Sequence, residues 1–203
     1  MPLVLATALI TIRIYNYAAV PPEELSAARE TTDRIFQLAG FSLQWIECRV
    51  SGDASGAGCT EPLADSGEFV LRLHNAPRAP SSRHLALGVS TVDLRAGGGV
   101  LITINPELVA TVAQQADAAP SLLLGRTIAH ELGHQLLGTS EHSSTGLMRA
   151  LWTQSELRRD RDADWRFSPQ EIMLMQRTLA KRLRAALYDD PGSLALAGQP
   201  PGD

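Results

Sequence analysis

Thr127-Ile128-Ala129-His130-Glu131-Leu132-Gly133-His134-Gln135-Leu136-Leu137-Gly138 sets two histidines four residues apart, with a glutamate directly after the first. Residues i and i+4 of an α-helix share one face, about 40° apart around the axis. His130 and His134 can therefore each aim an imidazole nitrogen at one point about 2 Å away, as zinc requires. Glu131 falls to the side of that pair. From there its carboxylate reaches a water at the same point without being a ligand, which is where a general base belongs. Helix signals frame the motif: Ser121 after Pro120 is the predicted N-cap, Leu123, Leu124, Ile128, Leu132 and Leu136 recur at helical spacing, and Gly138 is the predicted stop.

Two protein ligands are too few for a catalytic zinc, which takes three and keeps a fourth position open. The next residues, Thr139-Ser140-Glu141-His142-Ser143-Ser144-Thr145-Gly146-Leu147-Met148, hold a histidine eight places after His134. A chain reversal at Gly138 would swing His142 back toward the metal. Glu141 is the alternative third ligand, in which case His142 is a surface residue. His74 and His84 have no partner at ligand spacing and are read as structural or exposed.

With these residues in place, the chain resembles the metzincin metallopeptidases, whose extended pattern is H-E-x-x-H-x-x-G-x-x-H followed by a methionine-containing turn. Here Gly138 follows His134 by four residues and His142 follows Gly138 by four, one more than the pattern at each step. The residue at the family's own spacing is Ser140, a poor zinc ligand. The longer spacing and the stretch from histidine to methionine are similar to those of a bacterial subgroup of zincins. The resemblance implies that Gly146-Leu147-Met148 is the Met-turn, with Met148 as an apolar floor beneath the imidazoles. A methionine filling a gap in the core would look much the same.

The resemblance also implies a fold: α+β, zincin/metzincin-like, a twisted mixed β-sheet with an antiparallel edge strand, an active-site helix and a C-terminal helix. By the same resemblance, the strand before the zinc helix is the edge that pairs with extended substrate, which makes Val100, Leu101, Ile102, Thr103 and Ile104 the candidate substrate-binding residues. The physical basis would be backbone augmentation, in which main-chain hydrogen bonds hold a peptide in register. The implied activity is zinc-dependent peptide-bond hydrolysis, with His130, His134 and His142 holding Zn2+ and Glu131 as general base. The alternative is a non-catalytic, zinc-containing peptide-binding protein of the same fold. Retention of Glu131 speaks against it, because a structural zinc has no use for a base.

A chain of 203 residues is long enough for one domain, expected over 1–190, with a Pro/Gly-rich flexible tail at 191–203. The net charge of −4 gives no electrostatic reason to expect nucleic acid or an anionic membrane as partner. Arg158, Arg159, Arg161 and Arg166 are interleaved with Asp160, Asp162 and Asp164, so that segment reads as a solvated mixed-charge loop. No stretch is long and apolar enough for a membrane span, and a peptide or protein substrate acting on a monomer is the expected partnership. Cys48 and Cys59 bracket a Gly/Ser/Ala-rich loop, and either a disulfide or two free thiols fits that spacing. Residues 1–8 are apolar and end in an A-x-A sequence like the tail of a signal peptide. Together with the cysteines this favours a secreted or extracytoplasmic protein over a cytoplasmic one.

Along the chain, Ile10–Tyr17 and Phe41–Val50 alternate as strands around a helix from Glu23 to Leu38 with apolar positions 25, 28, 35 and 38. A strand, helix and strand at this spacing predicts a parallel pair. Glu68–His74, Ala86–Val92 and Gly99–Asn105 are three more predicted strands, and a short helix follows Pro106. Leu151–Arg166 reads as irregular or partly helical. Ser168, Pro169 and Glu171 then form an N-cap, N1 proline and capping box for a last helix to about Leu187, with Ile172, Met175, Leu179, Leu183 and Ala186 as its buried stripe.

Overall fold

The computed structural model describes residues 8–49, 58–63, 67–75, 86–93 and 98–188. Five strands, β1 (Ala8–Asn16), β2 (Phe41–Cys48), β3 (Glu68–Leu73), β4 (Gly88–Asp93) and β5 (Gly98–Ile104), form one sheet in the order β2-β1-β3-β5-β4. The helices are α1 (Pro22–Leu38), α2 (Pro106–Gln115), α3 (Pro120–Leu137), α4 (Gln154–Arg159) and α5 (Pro169–Tyr188), with a 3-10 turn at Asp162–Trp165. No described helix is long and apolar enough to cross a membrane. Of the signal-like residues 1–8 all but Ala8, the whole 191–203 tail, His84 and most of the 51–66 loop lie outside the described residues.

β1 pairs in parallel with β2 on one side and β3 on the other, as strand–helix–strand spacing requires, and β3 pairs in parallel with β5. Only β4 runs antiparallel, and it lies at the end of the sheet. Val100–Ile104 is therefore not the edge strand: β5 is enclosed between β3 and β4, and the edge position falls to β4. Sequence order misleads here because the chain passes through the outermost strand before turning inward to β5.

One sheet face is apolar and carries the core. Ile10, Ile12 and Ile14, then Phe69, Leu71 and Leu73, then Ile102 and Ile104 are all buried, two residues apart along each strand. The other face holds a buried Arg13–Glu68 pair, N···O 2.5 Å, whose guanidinium also donates to the Glu61 and Pro62 carbonyls. The segment carrying those carbonyls is fastened to the sheet by a Cys48–Cys59 disulfide, so of the two readings of these cysteines the bonded one holds.

α3 touches α1, α2, α5, β4 and β5, and every residue from Leu123 to Gln135 is buried. It is a central helix, not a half-buried one, which is why its polar residues need partners inside the protein. Its first residue is Pro120, and Ser121 is not its N-cap: Ala119 takes that place without a side-chain bond. Proline already fits N1, where its missing N–H costs nothing. On α1, Leu38 is 58% exposed, and Thr31, Thr32 and Phe36 share the inner face with Leu25, Ala28 and Ile35. Thr32 is tolerated there because its hydroxyl lies 2.9 Å from the Ala28 carbonyl and 3.1 Å from that of Gly125 on α3.

α5 carries the expected capping box, with Ser168 N–H donating to Glu171 and Glu171 N–H to Ser168. Its stripe is shorter than expected: Met175 and Leu179 are buried, but Leu183 is 42% exposed because the helix runs off the end of the core. The mixed-charge segment is also more ordered than its composition suggests. Arg158, Arg159, Arg161 and Arg166 are exposed, yet Asp160 pairs with the buried Arg126, and Trp165 is buried beneath that guanidinium at 3.8 Å.

Candidate metal centre

His130 and His134 project from the same face of α3, and their rings meet edge to face with centroids 4.7 Å apart. Each Nδ1 lies 2.9 Å from a backbone carbonyl, that of Leu147 for His130 and of Thr139 for His134. A carbonyl can only accept, so both Nδ1 atoms carry the proton and both Nε2 atoms present bare lone pairs. Those Nε2 atoms are 3.1 Å apart. Two neutral imidazoles so placed cannot hydrogen-bond to each other and should repel. The distance is close to the roughly 3.3 Å that separates two ligands on a tetrahedral zinc with Zn–N of about 2.0–2.1 Å. The donor set thus fits a cation of zinc's size and ligand preference.

Gly138 makes the third histidine available. Its backbone is left-handed, φ +66°, its N–H donates to the His134 carbonyl, and the chain turns back at the helix end. Thr139 N–H also reaches the His134 carbonyl, and the Ser143 N–H donates to the Met148 carbonyl, which closes the return. The exposed His142 ring then stands 4.8 Å from His134 and 5.3 Å from His130 by centroids. One ligand atom from each of the three histidines lies within 4.8 Å of the others, and among the described residues no acidic group joins them. Glu141, the alternative third donor, is exposed and outside that cluster.

Burial dictates the charge state of this constellation. Desolvation lowers the pKa of His130 to about 4, against the opposing effect of its Leu147 bond and with help from His134 and His142. His134 is lowered too, again chiefly by burial. Both are therefore neutral ligands at physiological pH, ready for a metal without losing a proton first. Glu131 is pushed the other way, up to about 7, by burial, with a hydrogen bond from Ser90 pulling it back.

Met148 and Leu147 are fully buried. A Cβ at Gly133 would come 2.6 Å from Met148 Sδ and 2.8 Å from Phe167 Cε1, so the methionine lies against a bare stretch of α3 one residue from His134. The Leu147 carbonyl accepts from Trp152 Nε1 at 3.3 Å as well as from His130, and the Trp152 ring stands perpendicular to His130 with centroids 5.4 Å apart. The segment after the helix therefore both supplies a histidine and fixes the orientation of another.

The three histidines and Glu131 open into a cleft of about 380 Å³. Its other wall is β4, through Gly88, Val89 and Ser90, and its remaining lining includes Val112, Thr127, Leu151, Trp152 and Leu157. Among the described residues Arg149 is the one Lys or Arg there, and it is engaged by Glu156 and the Gly146 carbonyl. Gly88 leaves room for Glu131: a Cβ at that position would come 2.7 Å from Glu131 Cγ. The predicted substrate-strand residues Val100–Ile104 do not line the cleft. Gly88, Val89, Ser90 and Trp152 were missed by sequence reasoning. Ser90 left no signal, since a single serine in a strand resembles any other, and for β4 only the alternation pattern was visible.

No protein-family model matches the chain, and no curated protein matches its sequence. Among solved structures it is similar in fold to the archaemetzincin of Methanopyrus kandleri, at 17% sequence identity and a TM-score of 0.53, over 88% of this chain and 99% of that one.

Proposed function

We propose that this zincin-like fold is a zinc-dependent peptidase, with the metal held by His130, His134 and His142 and with Glu131 as general base. The observation that carries the reading is the pair of unprotonated Nε2 atoms 3.1 Å apart, each fixed in that tautomer by a carbonyl behind it, with a third imidazole beside them. A bound zinc would make a water acidic enough to attack near neutral pH and would polarise the scissile carbonyl. Reading Gly146–Met148 as the Met-turn is supported by the burial of Met148 against Gly133 and by the Leu147 carbonyl behind His130.

Glu131 takes a proton from the attacking water and delivers it to the leaving nitrogen. The substrate's backbone pairs with the outer edge of β4, which among the described residues is paired only on its inner edge, with β5. The described cleft lining is mostly apolar and its one Lys or Arg among the described residues is already engaged, so uncharged peptide side chains are the best match for it. The disulfide supports an exported protein, since such bonds persist in oxidising compartments.

The test is digestion of a peptide library by zinc-loaded protein, by chelated protein and by Glu131→Gln. The expected result is cleavage by the first alone, with Glu131→Gln down by about 10²- to 10⁴-fold while holding zinc at the wild-type ratio. Zinc and peptide binding with no cleavage by any of the three would establish the non-catalytic alternative instead.

A further inference from the structure

Glu131 is held on the cleft side by a residue of the opposite wall. Ser90 Oγ lies 2.6 Å from Glu131 Oε2 and 2.7 Å from the backbone carbonyl oxygen of the same residue. A serine hydroxyl has one proton to donate and lone pairs to accept with. It can therefore satisfy only one of these two oxygens as a donor at any moment. The Glu131 carbonyl lies inside α3, where the helix supplies an N–H four residues on, so it loses little when the hydroxyl turns away. Two residues before Ser90 on the same strand, Gly88 offers no side chain: a Cβ there would come 2.7 Å from Glu131 Cγ and 2.9 Å from Oε1, so the glycine leaves the carboxyl group its place.

We propose that Ser90 is the positioning residue of the general base, its hydroxyl donating to Oε2 of Glu131 so that the other carboxyl oxygen faces the water and the group keeps one place throughout the reaction. Once that other oxygen has taken the water's proton, Oε2 is the carbonyl oxygen of the acid and still accepts from Ser90. The proton then passes from Glu131 to the leaving nitrogen as the C–N bond breaks. Its own proton never leaves it, so no further co-reactant enters the balance. Because Ser90 sits on β4, the same contact ties the base to the strand along which the substrate lies. This role rests on the peptidase reading above.

Zinc-loaded Ser90→Ala and Ser90→Thr, as full chains, test it. Ser90→Ala should lower kcat about 10- to 100-fold, which is what a hydrogen bond to a charged group is worth, while KM and zinc stoichiometry stay at wild-type values. Ser90→Thr, which keeps the hydroxyl, should restore most of kcat. A crystal structure of Ser90→Ala should show the Glu131 carboxylate displaced from its present place. If Ser90→Ala turns over as fast as wild type, or both variants lose stability equally with kcat intact, Ser90 is an ordinary link between strand and helix and the proposal is overturned. A wild-type protein that cleaves nothing sinks the peptidase reading and this role with it, an outcome distinct from a cleaving wild type matched by Ser90→Ala.

Discussion

The α3 wall of the cleft and the β4 wall differ in where their information lies. On α3, one helical turn carries two histidines, the base between them and the apolar spacing that buries them, so local sequence sets both structure and chemistry. β4 is a short strand whose role depends on which neighbours it pairs with, and its contribution to the site is a glycine, an exposed valine and a serine. Two contacts join the walls one helical turn apart. Ser90 binds Glu131, and Gln135 Nε2 donates to the carbonyls of Thr91 at 3.2 Å and Leu101 at 3.0 Å. The donor set is fixed by a local motif, whereas the placement of the two walls against each other is fixed by side chains crossing between elements distant in sequence.

Gly88→Ala should break this arrangement most sharply. The added Cβ would overlap Glu131 and push the base off its line by a fraction of an ångström or more. Misplacement on the scale of 1 Å costs about 10²-fold in rate, so kcat should fall by that order while zinc content holds. Steady-state kinetics beside metal analysis would check it, and wild-type kcat would show that β4 yields more easily than the geometry implies.

Gln135→Leu attacks the second contact. It leaves the Thr91 and Leu101 carbonyls without their donor from α3, for an expected loss of about 1–3 kcal/mol in chemical denaturation, with KM for peptides raised more than kcat is lowered. Gly133→Ala, on the α3 side, should cost a similar or smaller amount, about 1–3 kcal/mol from overpacking against Met148 and Phe167. If instead Gly133→Ala were neutral, the close packing of Met148 on the metal-binding helix would not be a constraint.

The smallest effect is a pH trend in metal-free protein. Glu131 is raised to about 7, so between about 4.5 and 7 the native state binds more protons than the unfolded chain and stability falls as pH rises. His130, lowered to about 4, and His134 act oppositely: their contribution is present above about 6.5 and is lost as pH falls. The two trends oppose each other over the shared range. Thermal denaturation of Glu131→Gln should uncover the histidine trend alone, with the variant gaining on wild type as pH rises from 5 to 7.

What was legible in the sequence follows the same division. The parallel β1–β2 pair, α3 and its stop at Gly138, and the capping box of α5 were all readable because turn chemistry and periodicity act over a few residues. His142 was nearly so, since Gly138 announced a reversal, but only coordinates separated it from Glu141. The edge strand was placed at Val100–Ile104, whereas the end of the described sheet is Gly88–Asp93, because strand order within a sheet is a tertiary fact. Leu38 and Leu183 were placed in the core by spacing alone, and both lie where their helices extend past it.

The whole reading depends on three imidazoles sharing one metal ion, and X-ray absorption spectroscopy on protein loaded with one equivalent of zinc measures this directly. We expect three imidazole nitrogens and one oxygen donor at about 2.0–2.1 Å, with His142→Ala reducing the imidazole count to two. A zinc site with only two imidazoles in the unaltered protein, or no zinc retained at stoichiometric level, would contradict it.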